Sequence, residues 1–314
     1  MDFVKWRNSK LDLLNSYFDM RMTKIAAAAS ARFGPLVDVM RYSLEGTGKR
    51  LRPLLVLASG EYLGMRAEQI LPAASAVEFI HTFSLIHDDL PGMDNDDLRR
   101  GQPSSHKKFG EALALLAGDA FLTEAFSELL GLGESGPFGA AQVLSAIETL
   151  ASHTGVRGLI GGQCLDVTVS ATDSTIPEVE FIHIHKTGAL IRAAVLLPAK
   201  LIPLEEVRMQ RLRRYGECVG LAFQISDDVL DAEPLSRYSR GPLPHLRPTL
   251  TRHMGATEIR SRLQSLIELA IANLAPEPSA QPLVQIAQYI RDRRPNGTPH
   301  SPSVTATTTL LHEK

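Results

Sequence analysis

Two cysteines, Cys164 and Cys218, are all that 314 residues contain, so neither a disulfide framework nor a four-cysteine zinc site can be built. Excess charge is missing too: 33 Lys and Arg stand against 35 Asp and Glu, and a net charge of -2 gives no reason to expect nucleic acid as a partner. No window approaches the roughly 18 uninterrupted apolar residues of a membrane span. The first ten residues, MDFVKWRNSK, lack the charged-then-apolar pattern of a signal peptide. These absences lead to the expectation of a soluble, cytoplasmic protein. Alternating β-branched runs are few, no repeat period is visible, and no linker divides the chain. What remains is an ordinary globular composition, 44% hydrophobic and 22% charged, long enough for one large core or two modest ones.

Segments such as LRPLLVLASGEYLG, ILPAASAVEFIHTFSLIHDD, EALALLAGDAFLTEAFSELL, FIHIHKTGALIRAAVLLPAKL and YGECVGLAFQISDDVLD carry helical spacing and are rich in Ala and Leu. Several are apolar around most of their circumference, as helices buried among helices are. The stretches GLGESGPFG (131–139) and ATDSTIP (171–177) are expected as loops between helices. In the latter, Thr175 with Glu178 reads as a capping box, and Pro177 suits a first helical turn. The expected fold is therefore all-α, one domain over 1–294, followed by a polar, mobile tail over 295–314.

Acidic residues cluster twice on these apolar helices. On the helix that runs into FSLIHDDLPGMDNDDLRRGQPS (83–104), His81, Ser84 and Asp88 share a face with Asp89 beside them, and Pro91 and Gly92 then end the helix. Asp94 is expected to reach back from the following loop. In DDVLD, Asp227, Asp228 and Asp231 stand on one face. Like charges in a partly buried helix repel and are costly to desolvate, so a cation must compensate. Carboxylates with no metal-grade His or Cys suit a hard ion, Mg²⁺, that bridges to substrate phosphates. An EF-hand is excluded, since DNDDLRR has no Gly at the sixth loop position and no Glu at the twelfth.

Cationic residues follow. EGTGKRLRP (45–53) places Lys49, Arg50 and Arg52 at the Gly-rich opening of a helix, although Ser43 and Arg50 stand where a P-loop needs Gly and Ser or Thr. Such a cluster still makes an anion site. Arg99 and Arg100 follow the first acidic cluster directly. Lys186 and Thr187 precede a mid-helix Gly188 that costs about 1 kcal/mol relative to Ala, a choice that points to a local kink.

The ordered motifs GTGKRLRP, FSLIHDDLPGMDNDDLRRGQP, GGQCLD, HKTGALIRAAV and FQISDDVLD closely resemble those of the trans-polyprenyl diphosphate synthases. Within them the chain looks most like the bacterial farnesyl diphosphate synthase (geranyltranstransferase) group. The motifs span about Gly46 to Asp231. The resemblance implies an isoprenoid-synthase helical bundle around a deep apolar cavity, usually a homodimer. It also implies three Mg²⁺ ions gripped by Asp88, Asp89 and Asp94 on one side and by Asp227, Asp228 and Asp231 on the other. By position, Lys49, Arg52, His81 and Arg100 match the residues that hold isopentenyl diphosphate. Arg99, Lys186, Thr187 and Gln224 match the allylic side, and Gln163 with Asp166 matches the GQxxD motif. Diphosphate departure would leave an allylic carbocation, which the isopentenyl double bond attacks before a proton is lost. Apolar walls exclude water from that cation. Phe83 and Ser84, about one turn before Asp88, are where chain length would be set, and an aromatic there favours the fifteen-carbon product, farnesyl diphosphate.

The chain departs from the family after DDVLD. The stretch AEPLSRYSRGPLPHLRPTL lacks the usual Gly-Asp and is four residues short, with Arg237 and Arg247 at the expected lysine positions and Arg240 nearby. Prolines at 242, 244 and 248 would stiffen this loop. Competing readings are a geranylgeranyl or geranyl diphosphate synthase, and a weakly active or non-catalytic subunit of a prenyl synthase. A terpene cyclase would keep one acidic cluster and lack the GKRLRP and LRRG basic sites.

Overall fold

A computed structural model describes residues 2–45, 48–170, 173–232 and 248–293, and within helices leaves aside the side chains of Ser135, Asp231 and Ala232. Arg237, Arg240, Arg247 and the tail expected from 295 onward lie outside the described residues.

The architecture is all-α. Helix α1 (Phe3–Ala28) is capped by Asp2, whose Oδ1 accepts from the backbone N–H of Val4 and Lys5 at 3.0 and 3.2 Å. Its buried residues, Leu14, Phe18 and Met22, recur every fourth position, so one stripe faces the core. Next come α2 (Gly34–Glu45), α3 (Leu51–Tyr62) and α4 (Ala67–Asp88). α4 is long and apolar enough, by composition, to cross a membrane, yet 72% of its apolar window is buried inside the protein. It is the central helix: α3 packs on one flank and α6 (Glu111–Ser135) along another, with Phe79 and Phe121 edge-on at 5.1 Å.

A short α5 (Ser105–Phe109) precedes α6; α7 (Ala140–Thr154), α8 (Leu159–Thr168) and α9 (Ile176–His183) follow it. The expected capping box opens α9, with Glu178 Oε2 accepting from both the N–H and the hydroxyl of Thr175 at 2.8 Å. The expected loop over 131–139 is shorter than foreseen. Burial of Leu129 and Leu132 carries α6 on to Ser135 despite Gly131 and Gly133. A buried α10 (Ala189–Lys200) then packs on α3, α7 and α11 (Glu206–Ala232). α12 (Ala256–Ala272) and α13 (Gln281–Arg291) close the bundle over α11, where the fully buried Tyr215 donates its hydroxyl to Leu283 O at 2.8 Å.

Two polar side chains, one buried and one half-buried, tie this packing together. Arg50, the left-handed residue before α3 (φ 49°), pairs with Glu78 of α4 at 2.5 Å, donates to Leu44 O and lies over the Phe18 ring. It therefore ties four helices together and belongs to the core. His153 of α7 donates from Nδ1 to Thr149 O at 2.7 Å and accepts at Nε2 from Arg192 of α10 at 2.9 Å. This pattern requires the neutral ring. Burial first, and then Arg192, push its pKa down to about 4.

Because the folded imidazole refuses a proton that the unfolded chain accepts near pH 6.5, stability present above that pH is lost as pH falls towards 4. The loss attributable to this group is roughly 3 kcal/mol at most. Urea unfolding at pH 7 and pH 4.5 is expected to show it, with a shallower pH slope in His153→Gln.

Candidate active site

Asp88 and Asp89 end α4, and the chain folds straight back: Asp94 N donates to Asp88 O at 2.9 Å, returning that third aspartate to the helix terminus. The next residues form a hairpin that sequence reasoning did not foresee, β1 (Leu98–Arg99) against β2 (Gln102–Pro103). Its two-residue turn, Arg100-Gly101, has φ of 54° and 79°, both left-handed, as a tight hairpin of this kind requires. An arginine in that conformation is strained by about 1–2 kcal/mol, and such strain collects at functional sites. The turn thereby aims Arg99 and Arg100 in different directions. Arg99 grips Asp89, with Nε at 2.9 and 3.1 Å from its two oxygens, and reaches Asp96 at 3.1 Å. Asp89 is 2% exposed, and burial pushes its pKa up to about 6 against the pull of Arg99. Arg100 instead lies against the backbone of Gly48, where a Cβ would sit 2.6 Å from its guanidinium.

Around that point the cations accumulate. Arg52 of α3 is 3.2 Å from His81 Nε2 of α4 and lies over the Phe223 ring of α11 at 5.6 Å. From the far end of the chain, Arg293 covers the same ring at 4.5 Å and pairs with Asp227 at 2.6 Å. Burial pushes Arg52 down to about 10, with Arg100 and Arg293 adding to the fall. Burial and then Arg52 and Arg100 hold His81 well below its ordinary value, so it is neutral. Burial and Arg293 also lower Lys49. Arg52 Nε and two nitrogens of Arg293 (Nε and Nη1) are buried with no hydrogen-bond partner among the described residues.

Opposite stands the second acidic helix. Asp227 is about one-third exposed, whereas Asp228 is buried. Gln224, one turn earlier, accepts from the Thr187 hydroxyl at 2.7 Å and donates to Asp228 at 3.0 Å. Thr187 sits in a π-helical turn, Ile184–Gly188, between α9 and α10; this is the irregularity expected around Gly188. Two glycines make the turn's close packing possible. A Cβ on Gly162 of α8 would lie 2.1 Å from Lys186 N, and one on Gly220 of α11 would lie 2.9 Å from Gly188 Cα. The approach of α8 lets Asp166 hold Lys186 at 2.5 Å, and it buries the Gln163 amide, both of whose polar atoms lack partners among the described residues. A cavity of about 50 Å³ adjoins the site at the hairpin, lined by Tyr42, Ser43, Thr82, Asp89, Arg99 and Arg100; it is too small for a ligand of ordinary size.

A family model described as Polyprenyl synthetase matches residues 35–237, which include both acidic helices. The chain belongs to that family. It is 43% identical to a geranylgeranyl diphosphate synthase of Cyanophora paradoxa over 82% of this chain and 87% of that one. It is 38% identical to the heterodimeric geranylgeranyl pyrophosphate synthase large subunit 1 of Arabidopsis thaliana, over 93% and 80% respectively. Among solved structures, an apo FPP/GFPP synthase from Zymomonas mobilis superposes with a TM-score of 0.79 at 34% identity, covering 91% of this chain and 98% of that one. The all-α prenyl-synthase fold expected from the motifs is therefore present.

Within this polyprenyl synthetase, Lys49, Arg52, His81 and Arg100 come together, as do Lys186, Thr187, Gln224 and Asp166. Phe83 and Ser84 are buried in α4, but Phe83 is about 140° around the helix from Asp88 and meets His87 edge-on at 4.9 Å. Ser84 donates to His81 O at 2.9 Å. No three His, Cys, Asp or Glu side chains converge on one point among the described residues, which leave out the side chain of Asp231. Arg293 is the residue sequence reasoning missed. RDRRPNG reads as the frayed end of a helix, and only packing brings it to Phe223.

Gly162→Ala is expected to cost about 1–3 kcal/mol, because backbone and not a flexible side chain blocks the new methyl, and to weaken activity by displacing Lys186. Gly131→Ala, on an open helix face, is the contrasting control, expected to stabilise by up to about 1 kcal/mol. Denaturant midpoints of the two variants check both.

Proposed function

We propose that this chain condenses isopentenyl diphosphate with an allylic diphosphate, extending a prenyl chain by five carbons at a time. One observation carries the reading: Arg52 and Arg100 crowd beside a neutral His81, Arg293 stands near both Arg52 and Lys49, and Arg52 and Arg293 carry buried N–H groups that no described residue satisfies. Such a cluster is costly unless an anion completes it, and a diphosphate supplies the charge and the acceptor oxygens.

The carboxylates on the facing elements form an oxygen-only donor set suited to Mg²⁺, which shares its coordination between one or two carboxylates and substrate phosphates. Asp88, Asp94, Asp227 and Asp231 are the residues that would hold it; when bound, it supplies positive charge to the departing diphosphate. Arg99, which neutralises Asp89, stands ready beside the allylic diphosphate. Lys186 is positioned by Asp166, and Thr187, whose hydroxyl donates a hydrogen bond to Gln224, keeps oxygen lone pairs that would favour passing positive charge. The isopentenyl π bond attacks the allylic cation, and the proton then lost passes to the departed diphosphate.

The twenty-carbon product, geranylgeranyl diphosphate, is favoured by the names of the curated relatives. A fifteen-carbon product remains the second reading because of one residue. Phe83 is large and buried, and its ring meets His87, whose Nε2 reaches Leu115 O of α6; a tail descending along that side of α4 would meet it. A homodimer is supported by large apolar side chains left exposed on three consecutive helices, Leu116 and Leu130 of α6, Leu144 of α7 and Ile160 and Val167 of α8, which a second copy would cover.

Purified protein incubated with Mg²⁺, labelled isopentenyl diphosphate and dimethylallyl or geranyl diphosphate is expected to yield labelled alcohols after dephosphorylation, the longest with twenty carbons. No labelled product from either primer would overturn the enzyme reading. If the longest wild-type product instead has fifteen carbons, Phe83→Ala is expected to lengthen it by one five-carbon unit; an unchanged length would remove Phe83 as the floor.

A further inference from the structure

The neighbours Asp227 and Asp228 have different surroundings. Asp227 opens to the cleft and faces a cation, Arg293. Asp228 is 3% exposed, and each of its oxygens already accepts from a neutral N–H: Oδ1 from Gln224 Nε2 at 3.0 Å, Oδ2 from the backbone of Leu250 at 2.9 Å. Leu250 is fully buried and begins a 3₁₀ turn, Leu250–Arg252, where the chain packs back onto α11 and α12. A neutral His183 lies 3.6 Å from Oδ2, beyond hydrogen-bond reach. The result is a directed chain of hydrogen bonds, Thr187 to Gln224 to Asp228, with Leu250 donating from the other side.

We propose that Asp228 is a positioning residue and not a metal ligand: it fixes the Gln224 amide, and through it Thr187, against the returning segment at Leu250. The direction of the chain makes the carboxylate necessary. Thr187 donates to the Gln224 oxygen, so the amide must present its NH₂ onward, and Leu250 presents an N–H from the opposite side. Only a group with two acceptors serves both donors. An asparagine serves one and turns its own NH₂ against the other. Metal binding in the second acidic cluster then falls to Asp227, with Asp231. The inference rests on the proposed prenyl-transfer function for its metal, but its structural half does not.

The test compares wild type, Asp227→Asn, Asp228→Asn and the reciprocal exchange Gln224→Glu with Asp228→Asn. In the exchange, the new carboxylate at position 224 still accepts from Thr187, and the new amide at position 228 donates its NH₂ to that carboxylate. The oxygen of the same amide accepts from Leu250, so every bond is restored with the middle one reversed. Three readouts are taken on the full chain: Mn²⁺ binding in the presence of inorganic pyrophosphate, hydrogen exchange across 249–254, and kcat. Asp228→Asn is expected to leave Mn²⁺ affinity within twofold, speed Leu250 exchange at least tenfold and lower kcat, with exchange and kcat recovering in the double variant. Asp227→Asn is expected to weaken Mn²⁺ at least tenfold and leave Leu250 exchange unchanged. Equal loss of Mn²⁺ affinity in the two single variants, or unaltered Leu250 exchange in Asp228→Asn, overturns the proposal. Absence of Mn²⁺ binding in wild type would count against the prenyl-transfer reading, while hydrogen exchange still decides the role of Asp228.

Discussion

Charges of one sign held close together in a half-dry cleft govern this molecule. Burial, with Arg100 and Arg293, loosens the hold of Arg52 on its proton, burial and Arg293 do the same to Lys49, and burial with Arg52 and Arg100 keeps His81 neutral. Aspartates at the ends of two helices create the mirror problem, which the fold answers in part with Arg99 on Asp89 and Arg293 on Asp227. Buried pairs of this kind contribute little net stability, since desolvation offsets most of the attraction. Under the proposed function, an anion bridging to a cation would satisfy both sets together.

Holding such groups in place falls to a scaffold with very little freedom. α4 is buried on nearly every side, so the Asp88 terminus is fixed by packing along the whole helix. Arg50 and Glu78 lock α3 to α4 beneath the site, which keeps Arg52 and His81 in register. On the opposite wall the π turn is held between Gly162 and Gly220, positions where no side chain fits. The strained Arg100 is tolerated because the hairpin register and the Gly48 backbone leave it one place to go.

How much of this could be read in advance depended on whether the signal was local. The acidic clusters, the capping box of Thr175 and Glu178, and the irregularity at Gly188 were legible because each is written within seven residues or fewer. The hairpin was not: Arg-Gly is a poor turn signal beside Asn-Gly, and only the close approach of Gly48 explains the choice. Gly131 and Gly133 suggested a loop, yet burial of Leu129 and Leu132 overrode that preference. Arg293 and Glu78 stayed hidden because their partners are 66 and 28 residues away. The two roles of Asp227 and Asp228 cannot be told apart from a doublet of identical letters.

The most direct measurement is a crystal structure with Mg²⁺ and a non-reactive bisphosphonate. The account predicts the anion in hydrogen-bond contact with Arg52 or Arg293, and metal density between it and the carboxylates of Asp88 and Asp227. Density for the anion elsewhere, with Arg52 and Arg293 unchanged and no ion between the two acidic helices, would contradict it.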